Sequence, residues 1–228
     1  MVKNVFLDLD DTILDFHAAE RVALSDTFRE MGVAPTPEIM KRYGEINRAC
    51  WQRLEKKELT RTEVLHERFI ILYDELGISR DAEKTQALYE YKLSLEHPFM
   101  DGGPELLAEL YGKYRLFLAS NGTASVQDRR IADTGIGKYF EGIFISQRVG
   151  HDKPSREFFD ACFSSVGDIS PHESIIVGDS LTSDIKGGRD YGMITCYFNP
   201  HGRENGTEII PDHEIHSLGE LPLLLEKI

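Results

Sequence analysis

The chain has 228 residues, of which 41% are hydrophobic, 10% aromatic and 29% charged, the composition of a folded globular protein rather than a disordered one. A total of 26 Lys and Arg against 39 Asp and Glu gives a net charge of −13, which argues against a nucleic-acid partner and against docking on an anionic membrane. No apolar run approaches the ~18 residues of a membrane span, and Asp8 and Asp10 interrupt the N-terminus too early for the apolar stretch of a secretion signal.

The first apolar run, residues 5–7, leads straight into Asp8 and Asp10. From 15 to 97 the period is helical. Ile39, Tyr43, Ile46, Cys50 and Leu54 recur at steps of three and four, and so do Leu65, Phe69, Leu72 and Leu76. Thr36-Pro37 has the form of a helix start, and Thr60 with Glu63 has the spacing of a capping box. Glycine falls in line with this: Gly32, Gly44 and Gly77 are the only ones before residue 98, and glycine weakens helix interiors.

Beyond residue 97 the pattern changes. Short runs rich in branched and aromatic residues, at 116–119, 143–145, 175–177 and 194–198, alternate with helical stretches near 103–113, 123–134, 154–165, 182–191 and 217–227. Such runs indicate buried parallel strands in βα units. The predicted fold class is therefore α/β, a Rossmann-like parallel sheet with an inserted α-helical bundle. Residues 1–14 and 98–228 form the α/β core, and 15–97 form a helical domain inserted after the first strand.

Polar residues sit where the strands end: Asp8 and Asp10 after the first, Ser120-Asn121-Gly122 after the second, Gly178-Asp179-Ser180 after the fourth. Lys153-Pro154 opens the helix after the third. In open α/β sheets ligands bind outside the carboxyl ends of the strands, so these residues gather at one edge. Asp8, Asp10, Asp179 and Asp184 then converge around a single evident cation, Lys153. Carboxylates this close repel one another, and a hard divalent cation with oxygen ligands, Mg²⁺, resolves the repulsion. The site would bind an anionic small molecule through that metal. Asp8 and Asp10 are two apart, so on a regular strand they share a face. One carboxylate can attack and carry a phosphoryl group as an aspartyl-phosphate. The other can protonate the leaving oxygen and then activate water. Ser120 and Lys153 can stabilise charge on the transferring phosphoryl oxygens.

Cys50, Cys162 and Cys196 are odd in number and far apart, with no CxxC and no zinc spacing, which fits a reducing, cytoplasmic setting. The sequence leaves the oligomeric state open between a monomer and a weak dimer.

Taken together, these residues resemble a known set. Val5-Phe6-Leu7-Asp8-Leu9-Asp10-Asp11-Thr12 resembles the first motif, hhhDxDxT, of the haloacid dehalogenase-like hydrolase superfamily. Ser120 resembles its second motif, Lys153-Pro154 its third, and Gly178-Asp179-Ser180-Leu181-Thr182-Ser183-Asp184 its GDxxxxD fourth. All four stand in the family's order. The resemblance implies that Asp8 is the nucleophile and Asp10 the general acid/base. It implies that Ser120 and Lys153, with Asn121 beside them, hold the phosphoryl group. It implies Mg²⁺ on the Asp8 side chain, the Asp10 main-chain carbonyl and Asp179, with Asp184 orienting Lys153 or a metal-bound water. The insertion is similar to the family's helical cap, a lid that excludes water and helps choose the substrate. Asn47, Trp51, Leu65-His66-Glu67-Arg68-Phe69 and Ser183-Asp184-Ile185-Lys186-Gly187-Gly188 look most like the pyrimidine 5′-nucleotidase branch.

Three rivals stand beside that reading. A sugar-phosphate or phosphoglycolate phosphatase, or a phosphomutase, differs mainly in the cap. A haloacid dehalogenase lacks the second acid of the first motif, present here as Asp10. A receiver-type signalling module also phosphorylates an Asp, but it is a single domain without a cap, and its acceptor lies on a later strand. Neither GxGxxG nor GxxxxGK[ST] nor GxSxG occurs, so the cradles of dinucleotide and P-loop folds and the nucleophile elbow are missing.

Overall fold

The computed structural model describes the backbone of all 228 residues and every side chain except that of Glu55. In chain order the elements are β1 (Asn4–Leu7), α1 (Phe16–Glu30), α2 (Pro37–Glu55), α3 (Arg61–Glu75), α4 (Ala82–Ser94), α5 (Gly103–Leu110), β2 (Arg115–Ser120) and α6 (Ala124–Thr134). They continue with β3 (Gly142–Ile145), α7 (Ser146–Val149), α8 (Arg156–Val166), β4 (Ser174–Gly178), α9 (Lys186–Tyr191), β5 (Ile194–Phe198), β6 (His213–Ile215) and α10 (Leu221–Leu225). The chain forms two compact units, Met1–Phe16 with His97–Ile228, and His17–Glu96.

The first unit is built on a parallel sheet, with six strands among the described residues in the order β3-β2-β1-β4-β5-β6. The central strands β1 and β4 are buried along their whole length and mainly apolar because both faces are covered. Along β1 the side chains alternate. Val5 and Leu7 enter a layer with Leu118, Val177, Leu107 and Leu221, whereas Phe6 enters the opposite layer with Phe117, Ile176, Phe158 and Phe159. The Phe6 ring stacks 4.8 Å from Phe117 and 5.3 Å from Phe163. Burying a side chain of this kind is worth about 1.5–3 kcal/mol, so β1 is fixed in register from both sides. Val5 lies opposite Leu116 on β2 and opposite Ile175 on β4. The chain adds β2 and β3 on one side of β1, then crosses to lay β4 on the other. That reversal puts the switch point of the sheet between β1 and β4, and in open α/β sheets ligands bind outside the carboxyl ends of the strands at such a point.

The structure differs from the sequence expectation after Lys153, after β4 and at the edge of the sheet, besides shifts at the ends of other helices. The helix after Lys153 starts at Arg156 rather than at Pro154, because Ser155 is the N-cap and accepts from the Phe158 N–H. The stretch expected as a helix over 182–191 begins as a π-helical turn, Leu181–Ile185, before α9. Only Ile215 of β6 is buried, so this short edge strand carries almost no apolar signal.

The second unit comprises most of α1 and all of α2–α4. Thr36 caps α2, and Thr60 with Glu63 forms the capping box that their spacing predicts. Phe28, Tyr43, Phe69 and Tyr89 make its aromatic core. Arg68 is buried among them, donating through Nη1 to Asn47 Oδ1 at 2.9 Å and through Nη2 to Gln86 Oε1 at 2.8 Å. Asn47 Nδ2 donates to Glu20 at 3.3 Å. The Asn47 amide is thus bonded at both ends inside this unit.

Candidate active site

Strand β1 ends at Leu7, and Asp8 extends its pairing by one residue, its N–H donating to the Val177 carbonyl at 2.9 Å. The backbone then folds into a tight turn. The N–H groups of Ile13 and Leu14 both reach the Leu9 carbonyl, at 2.9 and 2.8 Å, and Asp11 takes a left-handed φ of 56°. Asp8 and Asp10 lie just beyond the strand rather than on it, so the alternation of side chains along a strand does not govern them. The Asp10 carboxylate instead meets α6, accepting from Arg130 Nη1 at 2.5 Å and from Gln127 Nε2 at 2.6 Å.

Asp8 faces Lys153. The Lys153 ammonium is buried and donates to Asp8 Oδ1 at 2.6 Å, to Asp184 Oδ1 at 2.6 Å and to the Ala119 carbonyl at 2.5 Å. An ammonium has three protons, so all three are engaged. Asp184 is buried as well, and its Oδ2 accepts from the Ser180 N–H at 3.2 Å. The GDxxxxD spacing makes this possible. Asp184 lies in the π-helical turn and folds back over Gly178, where a Cβ would stand 2.2 Å from Asp184 Oδ2.

Asp8, Asp179 and Asp184 each offer a carboxylate oxygen within 4.8 Å of the others. Three carboxylates around one ammonium leave negative charge uncompensated in a buried place. The Asp8 carboxyl is raised to about 8, by burial first and by Asp184 and Asp10 as well, against the downward pull of Lys153. Burial, then Asp8, Asp184 and Asp11, hold Asp179 well above the usual carboxylate range. Burial alone would lower Lys153, but Asp184 and Asp8 outweigh it and raise it. This excess charge on hard oxygen donors fits a divalent cation such as Mg²⁺. With the Asp184 oxygens taken by Lys153 and Ser180, the Asp179 and Asp8 carboxylates are the ones suited to face it.

Ser120 ends β2, and its Oγ accepts from the Gly122 N–H and from Gln127 Nε2, each at 3.0 Å. Asn121, expected among the phosphoryl contacts, has its amide on the Lys153 backbone. Nδ2 donates to the Lys153 carbonyl and Oδ1 accepts from the Lys153 N–H, both at 2.9 Å. Gln127 and Arg130 are absent from the sequence-based set. Their signal was a pair of polar residues three apart in a helix whose Val126 and Ile131 are buried.

The opposite end of the sheet has a cavity of about 930 Å³ lined by Lys3, Lys113, Arg115, Tyr139 and Phe140, among others. Lys3, Lys113 and Arg115 are paired there with Glu173, Glu109 and Glu141. That balanced set contrasts with the uncompensated carboxylates at the carboxyl ends.

Known proteins bear on this arrangement. The chain is 37% identical to the putative HAD-hydrolase YfnB of Bacillus subtilis, whose magnesium-bound crystal structure superposes with a TM-score of 0.94 over 98% of each chain. It is 34% identical to the pyrimidine 5′-nucleotidase PynA of Streptococcus pneumoniae, over 99% of this chain and 95% of that protein. It is 29% identical to the pyrimidine 5′-nucleotidase YjjG of Escherichia coli, over 98% and 97%. The model of the haloacid dehalogenase-like hydrolases matches residues 2–192. Since that match takes in every residue gathered at the strand ends, from Asp8 to Asp184, the chain belongs to the haloacid dehalogenase-like hydrolase family.

Proposed function

We propose that this hydrolase is a Mg²⁺-dependent phosphomonoesterase that works through an aspartyl-phosphate on Asp8, with nucleoside 5′-monophosphates, pyrimidine first, as its substrates. The observation that carries the reading is the contact of 2.6 Å between the buried Lys153 ammonium and Asp8 Oδ1, beside the carboxylates of Asp179 and Asp184. The substrate class is supported by the two pyrimidine 5′-nucleotidases to which the chain is similar.

In this reading the Asp8 side chain, the Asp10 main-chain carbonyl and Asp179 hold Mg²⁺, which supplies charge neutralisation for the anionic ester. Asp8 attacks phosphorus and the bond to the leaving oxygen breaks. Asp10, as the acid, gives that oxygen its proton, so the alcohol leaves neutral. Water then attacks the aspartyl-phosphate, and the Asp10 carboxylate takes one of its protons. Inorganic phosphate is released and the Asp8 carboxylate is restored. Ser120 donates to a phosphoryl oxygen. Lys153 aligns Asp8 before attack, and the proton it directs at Asp8 Oδ1 is the one nearest a phosphoryl group on that side chain. Asp184 keeps Lys153 charged and in place. The helical insertion, residues 15–97 by sequence, is assigned the choice of substrate.

The test is phosphate release across nucleoside monophosphates, sugar phosphates and phosphoglycolate in the presence of Mg²⁺. Preference for pyrimidine 5′-monophosphates supports the full reading. Dominance of sugar phosphates overturns the branch and keeps the chemistry. No release from any ester overturns both.

A further inference from the structure

We infer that Gln127 and Arg130, on α6, are positioning residues of this reaction, which lock the Asp10 carboxylate and the Ser120 hydroxyl into one hydrogen-bonded unit. The inference rests on the phosphomonoesterase reading above and adds two residues to it.

Arg130 is fully buried, and its Nη1 donates to Asp10 Oδ1 at 2.5 Å and to Gln127 Oε1 at 3.0 Å. Gln127 is also buried, and its Nε2 donates to Asp10 Oδ2 at 2.6 Å and to Ser120 Oγ at 3.0 Å. The neighbours fix which end of the Gln127 amide is which. A carboxylate only accepts and a guanidinium only donates, so the nitrogen faces Asp10 and the oxygen faces Arg130. Both Asp10 oxygens are therefore held from one face of one helix, by residues three apart.

Ser120 is oriented by the same side chain. A hydroxyl has two acceptor sites and one proton. The Gly122 N–H and Gln127 Nε2 fill the acceptor sites. The single Ser120 proton is left to donate, which is the role a phosphoryl oxygen asks of it. The loop is shaped to admit Gln127: a Cβ at position 122 would lie 2.1 Å from Gln127 Nε2 and would push that side chain out of its present place.

Packing does not call for these two residues. A buried guanidinium or carboxamide is costly unless paired, and apolar side chains such as the neighbouring Val126 and Ile131 fill such a helix face without that cost. The polar pair answers a need of the strand ends, not of the core.

If Arg130 and Gln127 aim Asp10 at the leaving oxygen, their loss must weigh most on esters whose leaving group needs a proton. The experiment uses the full chain with Mg²⁺ and two substrates, a pyrimidine nucleoside 5′-monophosphate and 4-nitrophenyl phosphate. The alkoxide of the first needs protonation and the phenolate of the second leaves without it. For Arg130→Met and Gln127→Met we expect kcat/KM for the nucleotide to fall about 10²-fold, and the ratio of the nucleotide value to the nitrophenyl value to fall about tenfold or more. Arg130→Lys, which still offers a cation to Asp10, should recover part of that ratio. A ratio that stays at the wild-type value overturns the inference, because a merely structural defect slows both esters alike. Should the methionine variants fail to fold, Gln127→Glu serves instead: it presents an acceptor to Asp10 and must show the same selective loss. A wild-type chain inactive on both esters overturns the underlying phosphatase reading, whereas an active wild type with unselective variants overturns only the role of α6.

Discussion

The side-chain amide of Asn121 grips the backbone of Lys153 at both poles, donating to its carbonyl and accepting from its N–H at 2.9 Å each. The two residues are 32 apart in sequence, and this clamp joins the end of β2 to the loop that carries the ammonium. Asn121→Ala removes both bonds and leaves part-buried backbone groups without those partners. It should lower stability by about 1–3 kcal/mol, seen as a lower urea midpoint at unchanged slope. It should also reduce kcat more than it raises KM, since Lys153 loses its alignment on Asp8 and not on a bound substrate.

Asp8→Asn should reduce turnover on the order of 10⁴-fold or more, because an amide cannot carry the phosphoryl group. The fold should survive. Lys153 keeps Asp184 and the Ala119 carbonyl as partners, and the substitution removes one of three crowded carboxylates. Phosphate release measured beside a thermal melt checks both halves, and retained turnover would show that Asp8 is not the nucleophile.

Asp184 and Lys153 form a pair in which both side chains are 1% exposed. Removing one partner of a buried pair strands the other charge and costs about 3–5 kcal/mol. Asp8 still compensates part of the Lys153 charge, so Asp184→Ala should fall at the lower end, about 3 kcal/mol by chemical denaturation. A surface pair such as Lys186 with Asp190 serves as the control, since exposed pairs contribute about 0–1 kcal/mol.

Phe6→Ala should cost about 3–5 kcal/mol, because its ring lies between Phe117 and Phe163 in a layer with no exposed surface at Phe6. Denaturation of the variant measures it. Phe6 also shows why the sheet was legible in the sequence. A strand covered on both faces must be apolar at consecutive positions, and that run is visible without knowing its neighbours. The same logic hid β6, of which only Ile215 is buried. The residues at the strand ends were legible because polar side chains directly after apolar runs are conspicuous. Their directions were not. Beyond β1 the backbone leaves the strand for a turn with a left-handed Asp11 and the Asp10 carboxylate meets α6, and no period-two pattern carries that information. Gln127 and Arg130 read as ordinary polar helix residues, since a single sequence does not distinguish a polar group facing solvent from one facing a half-buried carboxylate.

Asp179 provides the most direct test of the metal. Its carboxylate is one of three within 4.8 Å, and Asp184, unlike Asp179, is already tied to Lys153 and to the Ser180 N–H. Relief of mutual repulsion should make Mg²⁺ stabilise the folded chain, by about 2.7 kcal/mol when the ion stands at about 100 times its Kd. Thermal melts with and without Mg²⁺ should separate clearly for the wild type and coincide for Asp179→Asn, which leaves the Lys153 contacts untouched. Chelation should stop phosphate release, and added Mg²⁺ should restore it. An Mg²⁺ shift of equal size in the wild type and in Asp179→Asn would remove Asp179 from the ligand set. It would place the ion elsewhere on this acidic surface, because the screening of surface charge by a divalent ion does not depend on any one carboxylate.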